Sequence, residues 1–180
     1  MTEANPWKTL DSRLIYENEW IRLREDRVIR PDGNPGIYGV VETRIATGTV
    51  AITEDNQVYL VGQYRYPTNH YSWEIVEGGT DGDESALEAA QRELHEEAGL
   101  VAKEWRQLGA EIHLSNCFSS EVCYLYIARG LTQVESRPDG TEKLQVRRLP
   151  FKEAVSLVHS GEIKDAVSIM GLMRAERILL

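Results

Sequence analysis

The stretch GTDGDESALEAAQRELHEEAGL, residues 79–100, constrains this chain of 180 residues more than any other. It reads as a helix from about 84 to 98, ended by Gly99. Six carboxylates lie between Asp83 and Glu97. A helix turns about 100° per residue, so Glu93, Glu96 and Glu97 share one narrow arc. Leu87, Ala90, Leu94 and Ala98 form an apolar arc beside it, which packs on the rest of the fold. Like charges at that spacing repel one another. Either water solvates them, or something positive sits among them. Arg92, at the edge of the acidic arc, can fix one carboxylate by a charge-assisted hydrogen bond. Hard divalent cations favour several carboxylate oxygens at short range. A calcium EF-hand loop fails: Asp81 and Asp83 begin such a pattern, but its glycine and terminal spacing are absent.

The rest of the chain narrows the class. Its length fits one domain able to bury a sizeable core. With 20 basic and 29 acidic residues the net charge is −9, which argues against a broad nucleic-acid surface. No apolar run is long enough for a membrane span and the start lacks a basic-then-apolar signal, so a soluble, cytoplasmic protein is expected. Cys117 and Cys123 are too few for a disulfide framework.

Residues 12–30 alternate loosely and end at the turn signal PDGNPG, which predicts a hairpin with IYGVVETRI as its second arm. TVAIT and VYLVGQYRY form another. SWEIVEGG leads into the helix; WRQLGAEIHL and EVCYLYIARGL follow as strands, and two helical stretches finish the chain. Strands on both sides of one helix, with more helix at the end, predict a mixed sheet between helices, an α+β arrangement.

Spacing then decides how the acids are read. Gly78, five residues, Glu84, seven residues and Arg92-Glu93-Leu94-His95-Glu96-Glu97-Ala98-Gly99-Leu100 fill every specified position of the Nudix box, which this stretch therefore resembles. The resemblance implies a Nudix fold, a mixed β-sheet sandwiched between α-helices with the box as loop–helix–loop. It implies Mg²⁺, or Mn²⁺ in its place, held by Glu93, Glu96, Glu97 and the backbone carbonyl of Glu77. Glu96, Glu97 and Arg92 are then catalytic-site residues, and Glu84 supports the loop. Family members cleave a diphosphate linked to another moiety by attack of water on phosphorus, chemistry that two metals can assist.

Outside the box, YENEWIRLREDRVIRPDGNPGIYGVV, VGQYRYPTNHYSWEIVEGG and GEIKDAVSIMGLM look like ADP-ribose pyrophosphatases and related nucleoside diphosphate sugar hydrolases. That likeness implies an N-terminal β extension over 1–45 and a hydrolase domain over 46–180. It also implies a homodimer through swapped N-terminal strands. Trp20 and Tyr38 match the nucleobase-sandwiching aromatics, Arg65 and Arg44 the arginines that contact phosphate or ribose, and Glu74 the acid of the segment before the box. Glu142 aligns best with the glutamate that serves as general base, with Glu135 and Asp139 as neighbours. Two positions depart from the pattern. Val76-Glu77-Gly78 stands where close relatives usually show Pro-Ala-Gly, and Asn116 stands about where ADP-ribose pyrophosphatases commonly carry proline. The second departure favours a broader nucleoside diphosphate sugar substrate. A non-catalytic ligand-sensing Nudix module, and a hydrolase of another dinucleotide or a coenzyme A substrate, are the alternative readings.

Overall fold

The computed structural model describes residues 4–136 and 144–179. Backbone contacts divide the chain into two units. One holds the N-terminal strands through Arg44 together with His113–Val122; the other holds Ile45–Ile112 and the chain from Cys123 onward.

The N-terminal unit is an antiparallel meander of β1 (Lys8–Glu17), β2 (Ile21–Ile29) and β3 (Pro35–Thr43). The sequence predicts one arm over 12–30; the structure has two strands there. Asn18 makes the break, because its Oδ1 accepts from the N–H groups of Trp20 at 2.9 Å and Ile21 at 2.8 Å. A side chain that satisfies two successive backbone donors reverses the chain within the run. The second turn is the one PDGNPG indicates: Arg30 N–H donates to Asn34 O at 2.9 Å, and Gly33 takes φ +81°. Arg13–Glu25 at 2.8 Å and Arg27–Asp11 pair across β1 and β2. Every residue of β1 is exposed, including Leu14, Ile15 and Tyr16. From the same unit, Phe118 O accepts from Val41 N–H at 2.8 Å and Val41 O from Ser120 N–H at 3.0 Å.

The larger unit holds two sheets. The strands β4 (Ala46–Ala51), β7 (Val76–Gly79), β8 (Leu100–Gln107) and β10 (Val122–Gln133) lie in the order β7-β4-β10-β8. The β4–β10 pair is parallel, from Cys123↔Ala46 to Ala128↔Ala51, and the others are antiparallel, so the sheet is mixed. The second sheet has the order β11-β5-β6, from β11 (Gln145–Pro150), β5 (Gln57–Arg65) and β6 (His70–Glu74). A two-residue strand, β9 (Ile112–His113), follows β8 in the chain. The run SWEIVEGG therefore spans two strands: the chain leaves one sheet after Glu74 and joins the other at Val76, with Ile75 between them.

Helix α1 (Ala86–Ala98) starts two residues later than expected because Ser85 caps it. Ser85 Oγ accepts from Glu88 N–H at 3.3 Å, and Glu88 Oε2 accepts from Ser85 N–H at 2.7 Å, a reciprocal capping box. Gly99 ends it at φ +61°. Leu94 and Ala98 pack in a cluster with Ala51, Val61, Val76, Leu100 and Ala128. Helix α2 (Phe151–Ser160) buries Phe151, Ala154 and Val155, and α3 (Ala166–Leu179) buries Val167, Gly171, Leu172 and Ala175. Successive residues of a strand face opposite ways, and β4 uses both faces. Ala51 meets the α1 cluster, while Gly48 and Val50 lie against Val167 and Gly171 of α3. A strand buried on both sides is apolar at successive positions, as Val50-Ala51-Ile52 are.

The fit of α3 leaves no room at Gly48. A Cβ there would lie 2.7 Å from Val167 Cγ1 and 2.8 Å from Leu125 Cδ2. Gly48→Ala should cost about 1–3 kcal/mol by overpacking in a urea titration. Gly39→Ala, where nothing lies within 4 Å, should stay within about 0.5 kcal/mol. Equal midpoints for the two variants would contradict this packing.

Candidate active site

Arg92 organises the acidic helix. Its Nη1 donates to Glu93 Oε1 at 2.7 Å and to Glu96 Oε2 at 2.9 Å, while Nη2 donates to Glu84 Oε1 at 2.6 Å and to the Gly79 carbonyl at 2.7 Å. The sequence places this arginine at the edge of the acidic arc with one partner; in the structure it joins three carboxylates and the loop backbone. Glu84 Oε1 also accepts from Asp81 N–H at 2.7 Å, which closes the loop ahead of the helix. The Arg92 hydrogen bond holds the Glu84 carboxyl below its ordinary range. Glu84 in turn holds the guanidinium above its usual value, and Glu93 and Glu96 add to this.

Gly78 sets the approach of α1 to β7. A Cβ at this position would lie 2.0 Å from the Glu93 carboxyl carbon. Only bare backbone lets Glu93 lie across the peptide that follows the Glu77 carbonyl. Glu97 is 4% exposed, and its Oε2 accepts from Glu77 N–H at 3.3 Å. Glu93, Glu97 and the Glu77 backbone thus meet at one place. All of these donors are oxygens, the set that hard divalent cations take. Among the described residues no three His, Cys, Asp or Glu side chains already converge as a cation cage. Glu93 and Glu96 are turned to Arg92 instead.

Beyond Glu77 lies a polar contact that the motif does not include. Glu77 is half-buried, and its carboxyl lies against α3. Burial pushes that carboxyl well up, and the hydrogen-bonded Asp165 carboxyl raises it further. Ser168, with no exposed surface, donates its hydroxyl to Glu77 Oε1 at 2.6 Å and accepts from Ile75 N–H at 3.0 Å. Asp165 Oδ2 accepts from Ser168 N–H at 2.7 Å at the start of α3. The spacing Asp165-x-x-Ser168 is that of a helix N-cap. It could have marked the helix start from sequence, but not its contact with Glu77.

The remaining expected residues fall into two groups. In the larger unit, Arg65 Nε donates to both oxygens of the buried Glu74, at 3.0 and 3.1 Å. Burial opposes the charge on Arg65, but Glu74, Glu77 and Glu97 together hold its pKa above the ordinary value. These two residues, named separately from the sequence, form one ion pair beside a cavity lined also by Asn69, His70 and Lys164. In the N-terminal unit, Trp20 is 64% exposed. Tyr38 meets Trp7 edge-on at 5.2 Å and donates its hydroxyl to Cys117 O at 2.6 Å. Arg44 donates to Glu19 O at 2.9 Å. Glu135 is exposed and its carbonyl lies 3.1 Å from His95 Nε2. Glu142 and Asp139 lie outside the described residues.

A loop–helix–loop whose arginine ties three glutamates to a glycine loop, set against a mixed sheet, defines a Nudix hydrolase domain. Residues 42–170 match the model of the NUDIX domain and residues 7–41 that of the nucleoside diphosphate sugar hydrolase N-terminal domain; the chain belongs to the Nudix hydrolase family. It is 31% identical over 177 residues to the ADP-ribose pyrophosphatase of Mycobacterium tuberculosis, covering 96% of this chain and 84% of that one. It is 28% identical over 167 residues to the methanol dehydrogenase activator of Bacillus methanolicus, covering 92% and 90%. A crystal structure of an ADP compounds hydrolase superposes with a TM-score of 0.87 at 22% identity, over 99% of this chain and 97% of that chain. No helix among the described residues is long and apolar enough to cross a membrane.

The Arg92 contacts carry a pH signature. A carboxyl whose pKa is lowered on folding stabilises fully above its unfolded value, and loses that contribution as the pH falls through the folded one. Arg92→Met should lower stability by roughly 1–2 kcal/mol at pH 7 after solvent screening, or about 3–6 °C. The melting-temperature gap from the parent protein should narrow once the pH drops below the carboxylate range. A gap that stays constant through and below that range would show that Arg92 acts by packing alone.

Proposed function

We propose that the chain hydrolyses the diphosphate bond of nucleoside diphosphate sugars, ADP-ribose and related compounds, to a nucleoside monophosphate and a sugar phosphate. The observation that carries this reading is the approach of Glu93 and Glu97 to the backbone of β7 at Gly78 and Glu77. The match of residues 7–41 to the nucleoside diphosphate sugar hydrolase model supports the substrate class. Glu93, Glu96, Glu97 and the Glu77 carbonyl would hold Mg²⁺, or Mn²⁺ in its place. Bound there, the metals would neutralise the diphosphate and acidify the attacking water. Arg92 bridges Glu84, Glu93 and Glu96, and its single positive charge leaves the cluster net negative. Arg65, oriented by Glu74, offers a planar fork suited to a phosphate. Glu142 is the proposed general base. Asn116, in place of the usual proline, favours tolerance of several nucleotide sugars.

Trp20, Tyr38 and Arg44 would bind the nucleoside in a homodimer formed through exchanged N-terminal strands. The exposure of β1 along its whole length, with Leu14, Ile15 and Tyr16 each near half exposed, supports pairing with a second copy.

Glu97→Gln should lower kcat on ADP-ribose about a thousandfold or more, equivalent to roughly 4 kcal/mol of barrier, with the fold intact. Near-normal turnover in saturating Mg²⁺ would remove Glu97 from the metal site. Sedimentation at micromolar concentration should give a dimer, and a fully active monomer would overturn the exchange of strands.

A further inference from the structure

Glu77 has a side chain that the proposed chemistry does not use, since a carbonyl ligand is indifferent to what the residue carries. That side chain is nonetheless half-buried and held by a hydrogen bond of 2.6 Å from Ser168. The contact sits where the chain crosses from β6 to β7. Ile75, the residue between the two strands, gives its N–H to the same hydroxyl at 3.0 Å. One hydroxyl of α3 therefore accepts from the backbone at the crossover and donates to the carboxyl two residues on. From the other side, the Glu77 N–H donates to Glu97 Oε2 at 3.3 Å, a group of α1. The side chain of Glu77 is tied to one helix and its N–H to the other. What these leave is its carbonyl.

We infer that Ser168 and the Glu77 carboxyl form a positioning device that fixes the Glu77 carbonyl for the divalent cation. The inference rests on the metal site proposed above. Ser168 is suited to the task because it has no exposed surface and lies in the first turn of an anchored helix: Asp165 accepts its N–H at 2.7 Å, and Ile169 N–H donates to Asp165 O at 3.0 Å. Farther along, Gly171 brings α3 so near Ile75 that a Cβ would lie 2.7 Å from Ile75 Cδ1. The hydroxyl is thus presented by a rigid element, the requirement for holding a ligand atom to a fraction of an ångström. Losing it leaves a part-buried acceptor and a buried N–H without this partner, and β7 can then move away from α3.

The test is Mn²⁺ binding to the full-length protein without nucleotide, followed by electron paramagnetic resonance, with melting temperature measured alongside. Ser168→Ala should weaken Mn²⁺ binding about tenfold, and Glu77→Ala should do the same. The double variant should be within about twofold of either single one, because both break one connection. Glu77→Gln can still accept from Ser168 and should recover most of the affinity that Glu77→Ala loses. In turnover, Ser168→Ala should need more Mg²⁺ to reach its maximal kcat, at a nearly unchanged KM for the nucleotide sugar. Unchanged Mn²⁺ affinity in Ser168→Ala and Glu77→Ala would overturn the inference. So would affinity lost equally in Glu77→Ala and Glu77→Gln. Should Ser168→Ala not fold, the contrast between those two Glu77 variants decides. A parent protein that binds no Mn²⁺ would overturn the metal site and the inference together. Mn²⁺ binding with these effects but no cleavage of nucleotide sugars would remove the substrate reading alone.

Discussion

Glu84, Glu93 and Glu96 stand round the guanidinium of Arg92, which also reaches the Gly79 carbonyl. Without it, the carboxylates of α1 would repel one another and the loop before the helix would lose its tie. With it, the helix can carry a dense acidic face and still pack Leu94 and Ala98 into the core. Arg92 supplies one positive charge against three negative ones, so the face keeps a net negative field. A cation that joins the site would meet several carboxylate oxygens close by and an uncompensated field, the combination that favours a divalent ion.

The second constraint is steric and lies in β7. Gly78 allows Glu93 to lie on the backbone, and the Glu77 N–H reaches Glu97. On the other face α3 approaches through Gly171 and Ser168. A short strand is therefore gripped by helices on both sides, one acidic and one contributing a hydroxyl. The same crossover separates β7 from Glu74, which orients Arg65. The ion pair of Arg65 with Glu74 and the β7 backbone that meets α1 are in this way joined by one short crossover.

Much of this could be read before the fold was known, because the signals were local. The Nudix spacing puts Glu93 and Glu97 on the face that meets β7, and Gly99 marks the helix end through its positive φ. Less legible was anything decided by a single side chain acting on backbone. Asn18 splits the long N-terminal arm into two strands, because its side chain takes up the N–H groups of Trp20 and Ile21. Ile75 divides SWEIVEGG between two sheets, because a residue that leaves one ladder for another keeps the same apolar pattern. Arg92 was underrated for a different reason: helical spacing lists neighbours on one element, whereas Gly79 and Glu84 come from the preceding loop. Ser168 lies 91 residues from Glu77, and no spacing rule connects them.

The account turns on the oxygens of Glu93, Glu96, Glu97 and the Glu77 carbonyl acting as one cation site beside Arg92. A crystal grown with Mn²⁺ and measured at the manganese absorption edge tests that most directly. The account predicts an anomalous peak among these four residues, with Arg92 still bound to Glu84 and the Gly79 carbonyl. Manganese found only at other acidic surfaces, with this cluster empty at millimolar Mn²⁺, would contradict it.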